Sequence, residues 1–334
     1  MSDDLILLSH GSGGKMTQHL ISSLFTEYFA NPILNKLNDF AEFEGGERIV
    51  VSTDSFVIKP IFFPGGDIGK LSVCGTVNDV AVSGARVSYI TIGFIIAEGF
   101  SINDLRKICR SMKEAAEEAG ILIVAGDTKV VEKGAADGIY INTTGIGIKK
   151  IPYRLGGECA CPGDKVIITG TIGDHGVAIM GTREGLSFQT TLQSDCAPLN
   201  TLIKDLLSVC NGVHSMRDPT RGGVATTLNE IAHQSGVGIT LFEEQLPIRP
   251  AVQGCCDLLG LDPLYVANEG KLLICINPEE EEKALHVLRK SPYGRESAVI
   301  GEVSEGAPEV ILQTVLGSHR VIDVLVGDQL PRIC

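Results

Sequence analysis

The chain has 334 residues, 44% hydrophobic and 21% charged, which is ample for two ordinary cores. Its formal net charge of −13 repels phosphate backbones and excludes nucleic acid as a general partner; a phosphate ligand would have to be met locally by backbone N–H groups, a few cations and a metal ion. No apolar run approaches the roughly 20 residues of a membrane span, and the opening MSDDLILLSHGSGGK is acidic before a short apolar run, unlike a secretory leader, so a cytoplasmic protein with no membrane partner is expected.

The first feature is Gly11-Ser12-Gly13-Gly14-Lys15, whose clustered N–H groups and lysine suit an anion. It fits neither common phosphate template: a Walker loop needs glycine at Ser9 and a hydroxyl residue at Met16, and a dinucleotide fingerprint needs glycine at Met16. RIVVST (48–53) predicts a strand ending at Asp54. Residues 67–85 carry apolar groups at helical spacing, with Asn78-Asp79 set among them at a burial cost that asks for a partner. A buried strand over 88–97 precedes a helix capped by Ser101 and closed by Gly120. The strand 121–125 then leads at once into Asp127, Thr128 and Lys129, and a further strand covers 137–149.

Three glycines and two prolines in 152–163 mark a domain boundary. Beyond it the patterns predict a strand over 165–169, helices over 200–210 and 222–234, strands over 237–242 and 271–276, a helix entered through Asn277-Pro278, and a terminal meander over 299–303, 310–315 and 320–326. The loop RDPTRGG places Asp218 between Arg217 and Arg221, and YVANEGK sets Glu269 before a buried strand as a candidate general base. Alternating helices and strands, with some strands in succession, predict an α+β protein. After Val326 the chain turns polar, and a mobile tail is expected.

Ten cysteines without a leader read as reduced thiols. Cys74, Cys109, Cys210 and Cys275 fall in apolar segments and suit a core. Cys159, Cys161, Cys255 and Cys256 lack zinc spacing, so no zinc site is expected. Cys334, in the final PRIC, lies outside every apolar pattern. Carboxylates that approach a triphosphate repel it unless Mg²⁺ lies between, so Asp54, Asp79, Asp127 and Asp218 together suggest an ATP–Mg²⁺ site, with Lys15, Arg217 and Arg221 on the remaining oxygens.

STDSFV, CGTVNDVAVSGA, AGDTKVV, GDHGVAIM, RDPTRGGVATTLNEIA and VANEG together resemble the ATP-binding superfamily of aminoimidazole ribonucleotide synthetase, thiamine-monophosphate kinase and selenophosphate synthetase. HGSGGK and PRIC narrow the resemblance to the HypE-type hydrogenase maturation factors. It implies two α/β-layered domains whose N-terminal sheets close a barrel across a homodimer. With it the chain divides into an N-terminal arm (1–40), an ATP-binding and dimerisation domain (41–152), a C-terminal domain (153–326) and a tail (327–334). It further implies ATP and Mg²⁺ as cofactors, the latter on Asp54, Asp79, Asp127 and Asp218, with Gly11 to Lys15, Asn78, Thr128, Arg217 and Arg221 at the nucleotide.

The activity implied is ATP-dependent dehydration of an S-carboxamide on Cys334 to a thiocyanate. The carbamoyltransferase HypF would load the thiol, and a HypC–HypD iron scaffold would receive the cyanide for [NiFe]-hydrogenase. Glu269, helped by Lys129, would move the protons. Two alternatives stay open: a small-molecule kinase or synthetase of the same superfamily, and a non-catalytic thiol carrier.

Overall fold

In a computed structural model of the chain, residues 5–7, 20–32, 48–183, 192–324 and 332–333 are described. The glycine loop Gly11–Lys15 and Cys334 lie outside them. The N-terminal half is an open four-stranded sheet in the order β1-β6-β4-β5, from β1 (Ile49–Phe56), β4 (Ala85–Ala97), β5 (Leu122–Val131) and β6 (Ile139–Lys149). A two-stranded hairpin, β2 (Phe62–Phe63) with β3 (Gly66–Asp67), leads into helix α1 (Ile68–Ala81). Asp67 caps α1 by accepting from the N–H groups of Gly69 and Lys70. Ser101 caps α2 (Ile102–Ala119), and Gly120 ends it in the left-handed conformation. Both helices cover one face of the sheet.

The C-terminal half is a seven-stranded sheet in the order β13-β12-β9-β11-β7-β10-β8. Its elements are β7 (Lys165–Ile168), α3 (Asp174–Arg183), α4 (Asn200–Val209), β8 (Val213–Arg217), α5 (Gly223–Ser235), β9 (Gly238–Phe242), α6 (Pro250–Leu259), β10 (Leu273–Ile276), α7 (Glu281–Leu288), β11 (Ala298–Ser304), β12 (Val310–Gln313) and β13 (His319–Ile322). Strand β10 is buried along its whole length. Ile274 and Ile276 join the core shared with the N-terminal half, while Leu273 and Cys275 join a second core under α5. A strand buried on both faces reads as an unbroken apolar run, as LLICI does. The large core runs from Phe56 and α1 through α4 to β10, so the two halves are packed together.

Three expectations are corrected. The segment Gly126-Asp127-Thr128-Lys129 does not follow its strand but continues it: Asp127 pairs with Gly93 and Lys129 with Ile95 of β4. The last three strands are not a meander, because β12 pairs in parallel with β9, and β9 lies between it and β11. Alternation fixes which face a residue takes; it does not choose the neighbouring strand. The chain end, expected to hang free, is anchored at Arg332 and Ile333, and Ile333 is only 3% exposed.

Candidate active site

Strand β1, helix α1 and the loop after β8 converge on a cleft between the halves. The even residues of β1 point toward α1, and Ser52 Oγ donates to Asp79 Oδ2 at 2.9 Å. Asp54, two residues on, lies 3.7 Å from the Arg221 guanidinium. Loss of water raises the pKa of Asp54, against the opposing pull of the Ser55 N–H and Arg221. Burial likewise raises Asp79, and the Asp54 carboxylate adds to the shift. Asp218 is pushed up to about 7, first by desolvation and then by the Asp79 charge. Three carboxylates thus repel one another beside two arginines, although Arg217 is also held by Glu230 at 2.7 Å. A divalent cation relieves that repulsion, and Mg²⁺ takes oxygen donors of this kind, so Asp54, Asp79 and Asp218 suit it.

Gly222 and Gly223, at φ +76° and +61°, turn the RDPTRGG loop into α5. A Cβ on Gly223 would lie 2.5 Å from the Leu264 carbonyl, so the loop closes only with glycine there.

Glu269 forms the floor of the cleft. It is 3% exposed, and its Oε1 is buried without a hydrogen-bond partner among the described residues. Its Oε2 would stand 4.0 Å from a Cβ built on Gly75 of α1. Burial raises its pKa well above the carboxylate range, with the Cys196 thiol and Asp218 carboxylate contributing. Its backbone N–H donates to Asp195 Oδ1 at 3.0 Å, and Asp195 pairs with Lys271 at 3.2 Å. Burial, the largest single influence, would raise Asp195, but the Lys271 ammonium, His175 and the Glu269 N–H together outweigh it and the pKa falls. The neighbouring Gly270 cannot carry a side chain, since a Cβ would lie 1.8 Å from the Asp195 carbonyl.

The chain end is tied to the same loop. Ile333 O accepts from His175 Nε2 at 2.8 Å, and His175 Nδ1 meets Ser194 Oγ at 2.8 Å. A carbonyl can only accept, so the His175 proton is on Nε2 and Ser194 donates to Nδ1. The Cys196 N–H completes the chain to Ser194 Oγ at 3.1 Å. His175 is wholly buried, and desolvation lowers its pKa, which keeps this neutral tautomer. Arg332 Nε donates to Val57 O at 2.8 Å and its Nη1 meets Asp137 at 2.6 Å, while its carbonyl accepts from the Lys59 N–H and from Arg183.

The structure therefore gathers Asp54, Asp79, Asp218, Arg217, Arg221 and Glu269. Asn78 stands apart from the nucleotide role expected of it. It is 1% exposed, and its amide spans the domain junction, donating to Ala197 O and Glu269 O and accepting from Leu199 N–H. Asp127, Thr128 and Lys129 lie on β5, the far edge of the sheet from β1. Asp127 and Lys129 face away from α1 and pair with each other at 3.5 Å. Sequence reading missed His175, Ser194, Asp195 and Asp137. His175 alone carried a signal, inside GDHGVAIM.

This two-domain α+β fold with a carboxylate–arginine cleft belongs to the AIR synthase related proteins: residues 37–149 match the family's N-terminal domain and 161–313 its C-terminal domain. Within that class the chain belongs to the HypE carbamoyl dehydratase family. It is 51% identical over 330 residues to carbamoyl dehydratase HypE of Cupriavidus necator, covering 98% of this chain and 94% of that protein. It superposes with TM-score 0.96 on a crystal structure of hydrogenase maturation protein HypE in complex with ATP, at 48% identity, covering 98% of this chain and 99% of that one. A HypE–HypF complex matches with TM-score 0.82 and 48% identity, covering 92% and 99%. Among the described residues no helix is long and apolar enough to cross a membrane.

One consequence of the carboxylate cluster is testable directly. Asp218 must be ionised to hold a cation, and its pKa stands at about 7. Affinity for Mg²⁺–ATP is expected to weaken as pH falls through that value and to strengthen above it. Asp218→Asn should cost about tenfold or more in affinity and flatten the pH dependence, as titration calorimetry from pH 6 to 8 would show. A variant that kept the parent's affinity and pH profile would remove Asp218 from the cation site.

Proposed function

We propose that this chain uses ATP to dehydrate an S-carboxamide on its own Cys334 to an S-cyanide, with Mg²⁺ held by Asp54, Asp79 and Asp218. The observation that carries the reading is the seat of Ile333: the residue before Cys334 is bonded through His175 and Ser194 to the loop whose Asp195 holds Glu269. On this reading the thiol of the next residue works at Glu269, whose Oε1 has no hydrogen-bond partner among the described residues.

The carboxamide oxygen is a poor leaving group until it is phosphorylated. It attacks the γ-phosphorus and releases ADP, while one N–H proton is lost; loss of the second N–H proton then expels phosphate and leaves C≡N. Mg²⁺ would offset charge on the transferring phosphoryl group. Arg217 and Arg221 serve the same oxygens from the side of the RDPTRGG loop. Glu269 takes one N–H proton, passes it to solvent and then takes the second. Burial raises its pKa, which makes the ionised carboxylate a stronger acceptor.

The tail has to leave this seat to be loaded, and the energetics permit it. Burying Ile333 contributes about 1.5–3 kcal/mol. The Arg332–Asp137 pair is half exposed and adds little. Fixing each tail residue costs about 1–2 kcal/mol, which opposes the burial of Ile333 and the hydrogen bonds of the seat. A released tail can meet a carbamoyltransferase of the HypF type, and afterwards a HypC–HypD scaffold.

The outer face of the four-stranded sheet carries Ile49, Val51, Ile95 and Leu122, each 41–60% exposed, between two open edges. A second copy covering that face, as a barrel across a two-fold axis, accounts for them. Asp127 and Lys129 share this face, so their part in a nucleotide site is played across the dimer.

Intact mass spectrometry of the C-terminal peptide tests the whole reading. A carbamoyl donor system should add one carbamoyl mass, and ATP should then remove one water. Loss of the carbamoyl group without a dehydrated peptide would refute it.

A further inference from the structure

The Cys159-Ala160-Cys161 segment has no zinc spacing in the sequence, yet the fold supplies what the spacing lacks. Cys161 and Asp164 flank a tight turn before β7, closed by the Asp164 N–H on Cys161 O at 3.0 Å and pinned to β11 through Val303 at 2.8 Å. His214 projects from β8, on the other side of β10. Its Nδ1 lies 2.8 and 2.9 Å from the two oxygens of Asp164, whose side chain is 2% exposed. One thiol sulfur, one carboxylate oxygen and one imidazole nitrogen thus stand within 4.8 Å of one another, and His214 sits on the strand that leads into Arg217 and Asp218.

We propose that Cys161, Asp164 and His214 form a binding site for a divalent transition-metal ion of the zinc type. Such an ion takes sulfur, imidazole and carboxylate donors at about 2.0–2.3 Å, and three protein ligands leave a fourth position for water. The Asp164 carboxylate is already fixed by the Cys161 N–H at 2.8 Å and by His214, so only the thiol has to turn inward. Its proton, now directed at Cys159 O at 3.4 Å, is released to solvent on binding, and the proton between His214 Nδ1 and Asp164 passes through solvent to Nε2, which frees Nδ1 for the cation. Because Cys161 is exposed and His214 partly so, the ion can enter from solvent. Bound there, it fastens the turn that opens the C-terminal domain to β8. A carboxylate–histidine hydrogen bond alone would tie the same two elements, but it has no use for the third donor.

Cobalt provides the probe. The full chain, stripped by a chelator, should bind one equivalent of Co²⁺ with a near-ultraviolet sulfur-to-cobalt charge-transfer band and intense visible bands of a four-coordinate ion. Cys161→Ser, at an exposed position, should lose the charge-transfer band. His214→Gln should bind at least about tenfold more weakly. Cys334→Ala should keep the band, and Zn²⁺ should raise the melting temperature of the parent but not of Cys161→Ser. The proposal is overturned if the parent takes up no stoichiometric Co²⁺, or if the band survives in Cys161→Ser and the sulfur therefore comes from another cysteine.

Discussion

Cys334→Ala is expected to abolish ATP-driven dehydration while affinity for ATP stays within about twofold of the parent. The separation follows from where the two functions sit. The carboxylates and arginines that would hold the nucleotide belong to β1, α1 and the loop after β8, whereas the thiol belongs to the last residue of the chain. On the proposed reading the thiol carries the group being changed, so its loss should remove a substrate and leave the pocket intact. Thiolates are good nucleophiles and good leaving groups, which suits a residue that must both accept a carbamoyl group and give up a cyano group. A thiol joined to the chain it serves has an effective concentration on the order of millimolar, so a free S-carbamoyl thiol added at that level should restore part of the turnover to the variant. ATP binding and single-turnover mass spectrometry on the same preparation check both halves. Full dehydration of a small-molecule substrate at micromolar concentration by the variant would instead make the chain an ordinary synthetase of its superfamily. Loss of ATP binding in the parent would make it a thiol carrier.

The sequence announced the layers and the acidic half of the site more readily than the contacts that join them. Asn78-Asp79 was conspicuous because two polar groups in an apolar helix must be answered by partners, and the structure supplies them: Asn78 spans the domain junction while Asp79 faces the cleft. RDPTRGG was readable because charges and glycines before a helix point to a turn with a job. Helix α6 carries both of its signals, a proline at its start and Gly260 after its end. Strand β5 misled because Gly126-Asp127 looks like a terminus, whereas pairing with β4 carries it on to Val131. Lys129 was assigned to proton transfer beside Glu269, but strand alternation turns it to the opposite face. The contacts between His175, Ser194 and Ile333 join residues 19 and 158 positions apart, and no periodicity records such separations. The same holds for Cys161 and His214, whose proximity is created by the order β7-β10-β8.

Glu269→Gln should slow conversion of the carbamoylated tail by about 10²–10⁴-fold, the usual worth of a positioned base, with ATP binding and carbamoylation unchanged. The substitution is unusually clean here. Oε1 of Glu269 has no hydrogen-bond partner among the described residues, and the backbone N–H that holds Asp195 is untouched, so the amide breaks no side-chain hydrogen bond given by the fold. The pH profile separates a proton-transfer role from a structural one. Glu269 works in its ionised form, and burial with its acidic neighbours raises its pKa. The single-turnover rate of the parent should therefore fall as pH drops through a value well above the ordinary carboxylate range, and recover as pH rises. In Glu269→Gln that limb should vanish, since the amide does not titrate. A structural defect would lower the melting temperature and leave the limb in place. If the variant converts the tail at the parental rate, Glu269 has no part in the chemistry, and the proton acceptor must be sought among groups supplied by the nucleotide or by the partner copy.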